Sequence, residues 1–202
     1  MNKQVAIVAV VLCVVVPEAR ADWLFTPAFG TTFGADTHGR EHSVYAAAVT
    51  QLSQEAVGWE IGVAYAPDFF EGHHAKFDFT GDSNVGTLML NGMIGFGPRD
   101  EGIGAVFPYM IGGLGVMQMR VVSRASPDHD WFHSLVHEVG WNFGAGAFVF
   151  PNSPVGIRAD VRYFQSFQNQ VPSWTRGLAF DVAPGEFDFW RTTFGVTVRF
   201  AE

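Results

Sequence analysis

The chain has 202 residues, of which 48 % are hydrophobic, 15 % aromatic and 16 % charged, with a formal net charge of −8. That length is room for one domain of ordinary size, and the balance excludes disorder and coiled coil. Lys3 and Lys76 are the only lysines, so no basic footprint for nucleic acid exists.

Met1 to Lys3 form a short positive end, followed by the apolar run Val5 to Val16, then Pro17 and the small-residue pattern Ala19-Arg20-Ala21. This is the layout of a secretory signal peptide, and the run is too short for the roughly 20 residues of a spanning helix. Residues 1–21 are therefore expected to be cleaved before Asp22, which leaves residues 22–202 as the mature domain. The single cysteine, Cys13, leaves with the signal, so disulfides cannot brace the exported chain. No second apolar run is long enough for a helix span, and a closed β-barrel is the other way through a bilayer.

From Asp22 onward the apolar residues recur at every second position, in eight stretches separated by Gly, Pro, Asp, Asn and Ser clusters. The first, about Trp23 to Gly34, sets Trp23, Phe25, Phe29 and Phe33 against Thr26, Ala28, Gly30 and Thr32. The second spans about His42 to Leu52. The third, about Val57 to Ala66, groups Trp59, Ile61, Val63 and Tyr65 and leaves Glu60 opposite with Gly58, Gly62 and Ala64. The fourth, about Asn84 to Phe96, sets Leu88, Leu90, Ile94 and Phe96 against Thr87, Met89, Asn91 and Met93.

In the fifth, about Gly104 to Val122, Phe107, Tyr109, Ile111, Met117, Met119 and Val121 are read as one face, with Gln118 and Arg120 on the other. The sixth, about Leu135 to Phe150, puts Val139, Trp141, Phe143 and Val149 opposite Glu138, Asn142, Gly144 and Gly146. Phe148 and Phe150 break its pattern, which predicts a bulge at its lower end. The seventh sets Val155, Ile157, Ala159, Val161, Tyr163 and Phe167 against Arg158, Asp160 and Arg162. The eighth, about Phe187 to Phe200, sets Trp190, Phe194, Val196, Val198 and Phe200 against Arg191, Thr193, Thr197 and Arg199.

Successive strand residues point to opposite faces, so the last two stretches have one purely apolar face and one that carries five charges. In a water-soluble sheet the charged face would be outside, and in a membrane barrel it is enclosed. The small residues on that face and its mixed signs favour enclosure: Glu60, Glu138 and Asp160 stand against Arg120, Arg158, Arg162, Arg191 and Arg199. Connector lengths agree. Links two to three, four to five and six to seven are short, whereas links three to four, five to six and seven to eight are long, as when turns and loops lie at opposite ends of an even-stranded barrel. Trp23, Trp59, Phe96, Phe107 and Phe200 would form the girdle at the turn end, and Phe33, Tyr65, Tyr163, Phe167 and Trp190 the one at the loop end.

The pattern resembles the small eight-stranded outer-membrane barrels of the OmpA/OmpX kind over essentially all of Asp22 to Glu202. The most specific piece is Thr193-Phe194-Gly195-Val196-Thr197-Val198-Arg199-Phe200, which is similar to the C-terminal strand signal of such barrels. The resemblance implies an all-β, antiparallel up-and-down transmembrane barrel in the bacterial outer membrane. Its lumen would be filled by side chains, and Gly195, Val198 and Phe200 would be read by the barrel-assembly machinery. It further implies a monomer surrounded by outer-membrane lipid, with a structural or surface-interaction role.

No cofactor is implied. The seven histidines, His38, His42, His73, His74, His129, His133 and His137, lie near the long-loop end. None has the spacing of a zinc motif, and solvated loop histidines are the plainer reading. The pairs His42-Ser43 and His133-Ser134 suggest a lipid A-modifying hydrolase, but adjacent strand residues face opposite ways. The expectation is therefore no catalytic and no metal site, with that hydrolase and a soluble periplasmic ligand-binding barrel as the alternatives. The charges on the enclosed face are expected to be structural. An eight-stranded barrel is only wide enough for its own side chains, here Met89, Met93, Gln118 and several Arg, with Asp160 or Glu138 linked to Arg neighbours. The loop aromatics Phe69, Phe70, Phe77, Phe79, Trp131, Phe132 and Trp174 hint at an external contact.

Overall fold

The computed structural model describes residues 21–34, 41–53, 56–67, 69, 73–74, 77–78, 84–96, 105–123, 132–151, 153–167 and 187–200. Residues 1–20 of the expected signal peptide lie outside that set. The described residues form ten strands: β1 (Ala21–Phe33), β2 (His42–Ser53), β3 (Val57–Pro67), β4 (His73–His74), β5 (Phe77–Asp78), β6 (Asn84–Gly95), β7 (Ala105–Ser123), β8 (Phe132–Phe150), β9 (Val155–Ser166) and β10 (Asp188–Phe200). Eight of them close a barrel in the order β1-β10-β9-β8-β7-β6-β3-β2, with every neighbouring pair antiparallel. The small pair β4–β5 sits in the connection between β3 and β6.

The register gives the barrel its tilt. Phe29 is level with Tyr45, Tyr65, Gly86 and Gln118 in one direction round the wall, and with Phe194, Ala159, Ala147 and Pro108 in the other. The two routes reach β7 ten residues apart. For eight strands that stagger corresponds to a tilt of about 40° from the axis. Pairing of Trp23 with Phe200 at one end and of Phe33 with Trp190 at the other then brackets an outer band about 25 Å tall along the axis.

Each barrel strand presents an apolar row outward. Phe25, Phe29, Ile61, Val63, Leu88, Leu90, Leu114, Phe143, Ile157, Val161, Phe194 and Val196 are all exposed, and between the two aromatic ends no described outward position carries a charge. Inside, two apolar clusters sandwich a polar layer. Val44, Ala66, Phe69, Val85, Met89, Met117, Phe164, Phe187 and Phe189 close the loop end, and Leu24, Leu52, Met93, Phe107, Tyr109, Ile111 and Phe148 close the turn end.

The fifth stretch runs in the opposite phase to the expectation. Phe107, Tyr109, Ile111 and Met117 are buried in the lumen, whereas Met110, Leu114, Val116, Gln118 and Arg120 are exposed on the outside. Both faces of β7 are apolar over its middle, so hydropathy does not set its phase. Gln118 and Arg120, the two polar residues that suggested one, sit beyond the aromatic row, where the outer wall is itself polar. Phe107 consequently belongs to the interior and not to the turn-end girdle, and Gln118 does not fill the lumen.

No bulge interrupts β8, which pairs without a break from Phe132 to Phe150. Phe148 instead enters the lumen as a filler. β7 and β8 are 19 residues each, against 11 to 13 for the other barrel strands. Their hairpin continues past its neighbours, which shortens the fifth-to-sixth link below the expected length. Phe69, expected as a loop-surface aromatic, is only 1 % exposed and packs on Phe187 and Phe189 in the barrel mouth.

Glycines make room where lumen side chains cross. A Cβ added at Gly146 would collide with the Tyr109 hydroxyl and lie 2.6 Å from the Asp160 Cβ, and one at Gly144 would lie 2.8 Å from the Arg162 Cγ. Gly146→Val is expected to lower the stability of the folded barrel by about 1–3 kcal/mol, the usual cost of overpacking. A series of gel samples heated to increasing temperature would show the compact form lost earlier than in the wild type.

Candidate functional site: a buried charge network in the lumen

The polar layer is built from seven of the eight barrel strands, because each contributes inward residues at alternate positions. Its anchor is Glu60 on β3, which is fully buried. Arg158 Nη1 lies 2.6 Å from Glu60 Oε2, and Arg162 Nη1 lies 2.8 Å from Glu60 Oε1. Thr50 Oγ1 donates to Oε2 at 3.2 Å and Asn91 Nδ2 to Oε1 at 3.2 Å. Both oxygens of this carboxylate thus accept two bonds.

Asp160 is the second acceptor. Arg162 grips it through Nε on Oδ1 and Nη2 on Oδ2, both at 3.0 Å. Thr193 donates to Oδ1 at 3.0 Å, and the Tyr109 hydroxyl donates to Oδ2 at 3.0 Å. Arg158 Nε reaches both Asp160 Oδ2, at 3.0 Å, and the Tyr109 oxygen, at 2.7 Å. The Arg158 guanidinium also lies over the Tyr109 and Phe148 rings, 5.1 and 4.9 Å from their centres. Asn142 Nδ2 donates to Asn91 Oδ1 at 2.7 Å and so ties β8 to β6 and on to Glu60.

The other residues expected in the network divide. Arg191 is buried, but Nη1 meets Thr87 Oγ1 at 3.3 Å and its guanidinium stacks 4.3 Å from the centre of Phe164. Among the described residues no carboxylate lies within 4.0 Å of it. Glu138 is buried, and among the described residues it has no ion pair and its Oε2 no partner. It stands on β8 opposite Met117, in the apolar loop-end region, so of the two acids Asp160 and Glu138 it is Asp160 that is linked to arginines. Arg199 lies at the turn end, 3.9 Å from Asp22 Oδ2 and 4.2 Å above Phe150, away from the centre. Arg120 is exposed on the outer wall because of the reversed phase of β7.

Tyr109 is the member that the sequence reading placed on the wrong face. A signal for it exists: Gly113 and Gly115 share its parity, and small residues mark the lumen face of the other strands. On β10, Phe200 pairs with Trp23, Val198 with Phe25 and Gly195 with Ala28, so these three sit at the barrel seam. His42 is buried beside Phe69 and Ser43 is exposed, which separates that pair across the wall. His137 is exposed on the outer face of β8. His38 and His129 lie outside the described residues, as do the side chains of His73, His74, His133 and Ser134.

Among the described residues, this network and the two apolar clusters fill the bore. The network is a cross-strand clamp: four charged residues, Glu60, Arg158, Asp160 and Arg162, hold β3 to β9, and Thr193 ties in β10, in an interior that apolar clusters shield at both ends.

Removing one partner from a buried pair leaves the other charge uncompensated, at a typical cost of about 3–5 kcal/mol. Arg162→Met is expected to lose that much stability in urea unfolding followed by compact-form gel migration. Arg191→Met, which removes a cation with no adjacent carboxylate, should cost clearly less in the same assay.

No protein-family model matches the chain, and no curated protein does. Solved structures do match. A major outer membrane protein from Thermus thermophilus is 14 % identical with a TM-score of 0.57, over 88 % of this chain and 99 % of that one. Neisserial surface protein A is 12 % identical with a TM-score of 0.55, over 89 % and 97 %. Ail, the attachment invasion locus protein of Yersinia pestis, is 13 % identical with a TM-score of 0.51, over 90 % and 99 %. At such identities the likeness is one of fold, and the fold is that of the small eight-stranded outer-membrane barrels.

Proposed function

We propose that the protein is exported, loses residues 1–21, and resides in the outer membrane of a diderm envelope as a closed, non-catalytic barrel. Both termini face the periplasm, and the links that follow β1, β3, β7 and β9 face outward. The observation that carries this reading is the outer band. A wall about 25 Å tall that is apolar all round and bounded by aromatic rows matches a bilayer core and has no use in water, where so large an exposed apolar surface would aggregate. A soluble periplasmic ligand-binding barrel would carry the reverse arrangement.

Within the membrane the role is structural or one of surface interaction. Among the described residues the charge network and the two apolar clusters fill the bore, which supports a role other than transport. Insertion depends on the barrel-assembly machinery engaging the β10 segment with Gly195, Val198 and Phe200. The hydrolase alternative gains nothing from His42 and Ser43, which lie on opposite sides of the wall.

Membrane fractionation of expressing cells is expected to place the protein in the outer membrane, with a mature N-terminus at Asp22 by mass spectrometry and gel migration that changes on heating. A soluble periplasmic product would defeat the reading. Val161→Arg, in the middle of the outer band, should reduce the stability of the inserted barrel by about 2–4 kcal/mol, whereas Val161→Leu should leave it unchanged. In planar bilayers the purified protein is expected to show no sustained conductance.

A further inference from the structure

Among the arginines on described strands, Arg120 alone stands on the outer wall. The register surrounds it with polar groups. Asn84 on β6 is directly opposite, which sets the two Cβ atoms about 5 Å apart. Gln118 is its next outward neighbour on β7, roughly 7 Å along the strand, and faces His137 on β8. His137 is thereby diagonal to Arg120, a separation that long side chains span. Arg120, Gln118 and His137 are exposed and Asn84 is half-buried.

No carboxylate shares this face. Glu138 is the sole acid on β6, β7 and β8, and it points into the lumen. Among the described residues the side chains of Arg120, Gln118 and His137 enter no hydrogen bond or ion pair. The wall also recedes beside Gln118, because its β6 partner is Gly86, where an added Cβ would meet nothing nearer than 3.9 Å. One ladder level toward the membrane centre, Leu88, Val116 and Val139 stand side by side, all exposed and part of the apolar band. Apolar wall and polar patch are thus continuous on the same three strands, with about 5 Å of axial height between successive levels.

From this we infer that the patch binds the phosphate group of a membrane-lipid headgroup in the outer-facing leaflet, with Arg120 as its anchor. The inference rests on the membrane placement proposed above. A guanidinium fork matches two phosphate oxygens at once, and the amides of Asn84 and Gln118 and the His137 ring N–H offer further donors to an anion with several acceptor oxygens. The lipid, and not a free anion, is the ligand because of what lies beneath. Acyl chains running over Leu88, Val116 and Val139 bring the attached phosphate to the height of Gln118 and Arg120, whereas a dissolved phosphate gains no such anchorage. Arg120 then meets its counter-charge in the lipid, as a cation at the edge of a bilayer core does.

The test is native mass spectrometry of the full-length mature protein in detergent, titrated with diphosphorylated lipid A and with its phosphate-free counterpart of the same acyl chains. The wild type is expected to retain one phosphorylated lipid per barrel and to hold the phosphate-free lipid roughly tenfold more weakly. Arg120→Gln should weaken retention of the phosphorylated lipid by roughly the same factor, and Arg120→Lys by less, since it keeps the charge and loses the fork. Equal retention of the two lipids by the wild type would overturn the inference whether or not a variant folds, as would full retention by folded Arg120→Gln. Displacement of the lipid by millimolar inorganic phosphate would assign the patch to a free anion and also reject it. Heat-modifiable gel migration of the same samples reports separately on the membrane-barrel reading, so a folded barrel without lipid selectivity rejects this site alone.

Discussion

The structure depends on the Glu60 carboxylate and the two guanidinium groups that hold it. A barrel in lipid cannot gain stability by hiding apolar side chains from water, since its outer surface already lies in an apolar solvent. What distinguishes the closed state must come from inside. Here a β3 acid placed against two β9 bases links strands that are not neighbours in the wall, so the pairing can form only when the sheet has curled round on itself. Asp160, Tyr109 and Thr193 extend the same tie to β7 and β10. Ion pairs in a dry interior are favourable only when their remaining valences are met, and for both central carboxylates they are.

The apolar clusters are the complement of that network. Phe69, Phe164, Phe187 and Phe189 above it, with Leu24, Leu52, Phe107 and Phe148 below, keep solvent from screening the charges and from competing for the arginines. The same residues occupy the bore. Strength of the clamp and filling of the bore by the described side chains therefore have one cause, and the small residues on β1, β2, β3 and β8 are its geometric condition: bulky arginines can reach across only where the facing wall recedes.

How much of this could be read from the sequence varied with how different the two faces of a strand are. On β9 and β10 one face is Val, Ile, Phe and Trp and the other Arg, Asp and Thr, so side-chain direction, burial and enclosure of the charges follow at once. Glu60 was legible for the same reason, isolated among glycines and alanine. β7 is ambiguous because Phe107, Tyr109 and Ile111 are as apolar as Val106, Met110 and Leu114, and the two polar residues beyond the membrane band, Gln118 and Arg120, suggest the opposite phase. Pairing was harder still. Alternation tells which side Glu138, Arg191 and Arg199 occupy, but whether an acid and a base meet depends on their heights along the axis, and these follow from the ten-residue stagger of the closed sheet.

The position of Phe69 has a consequence for how the mouth of the barrel is held shut. It follows β3 by only two residues, yet it turns back to cork the bore beside Phe187, which in turn immediately precedes β10. Among the described residues, the loop end of the interior is thus closed by side chains rooted within two residues of β3 and β10, so the seal is carried by the same strands that form the wall.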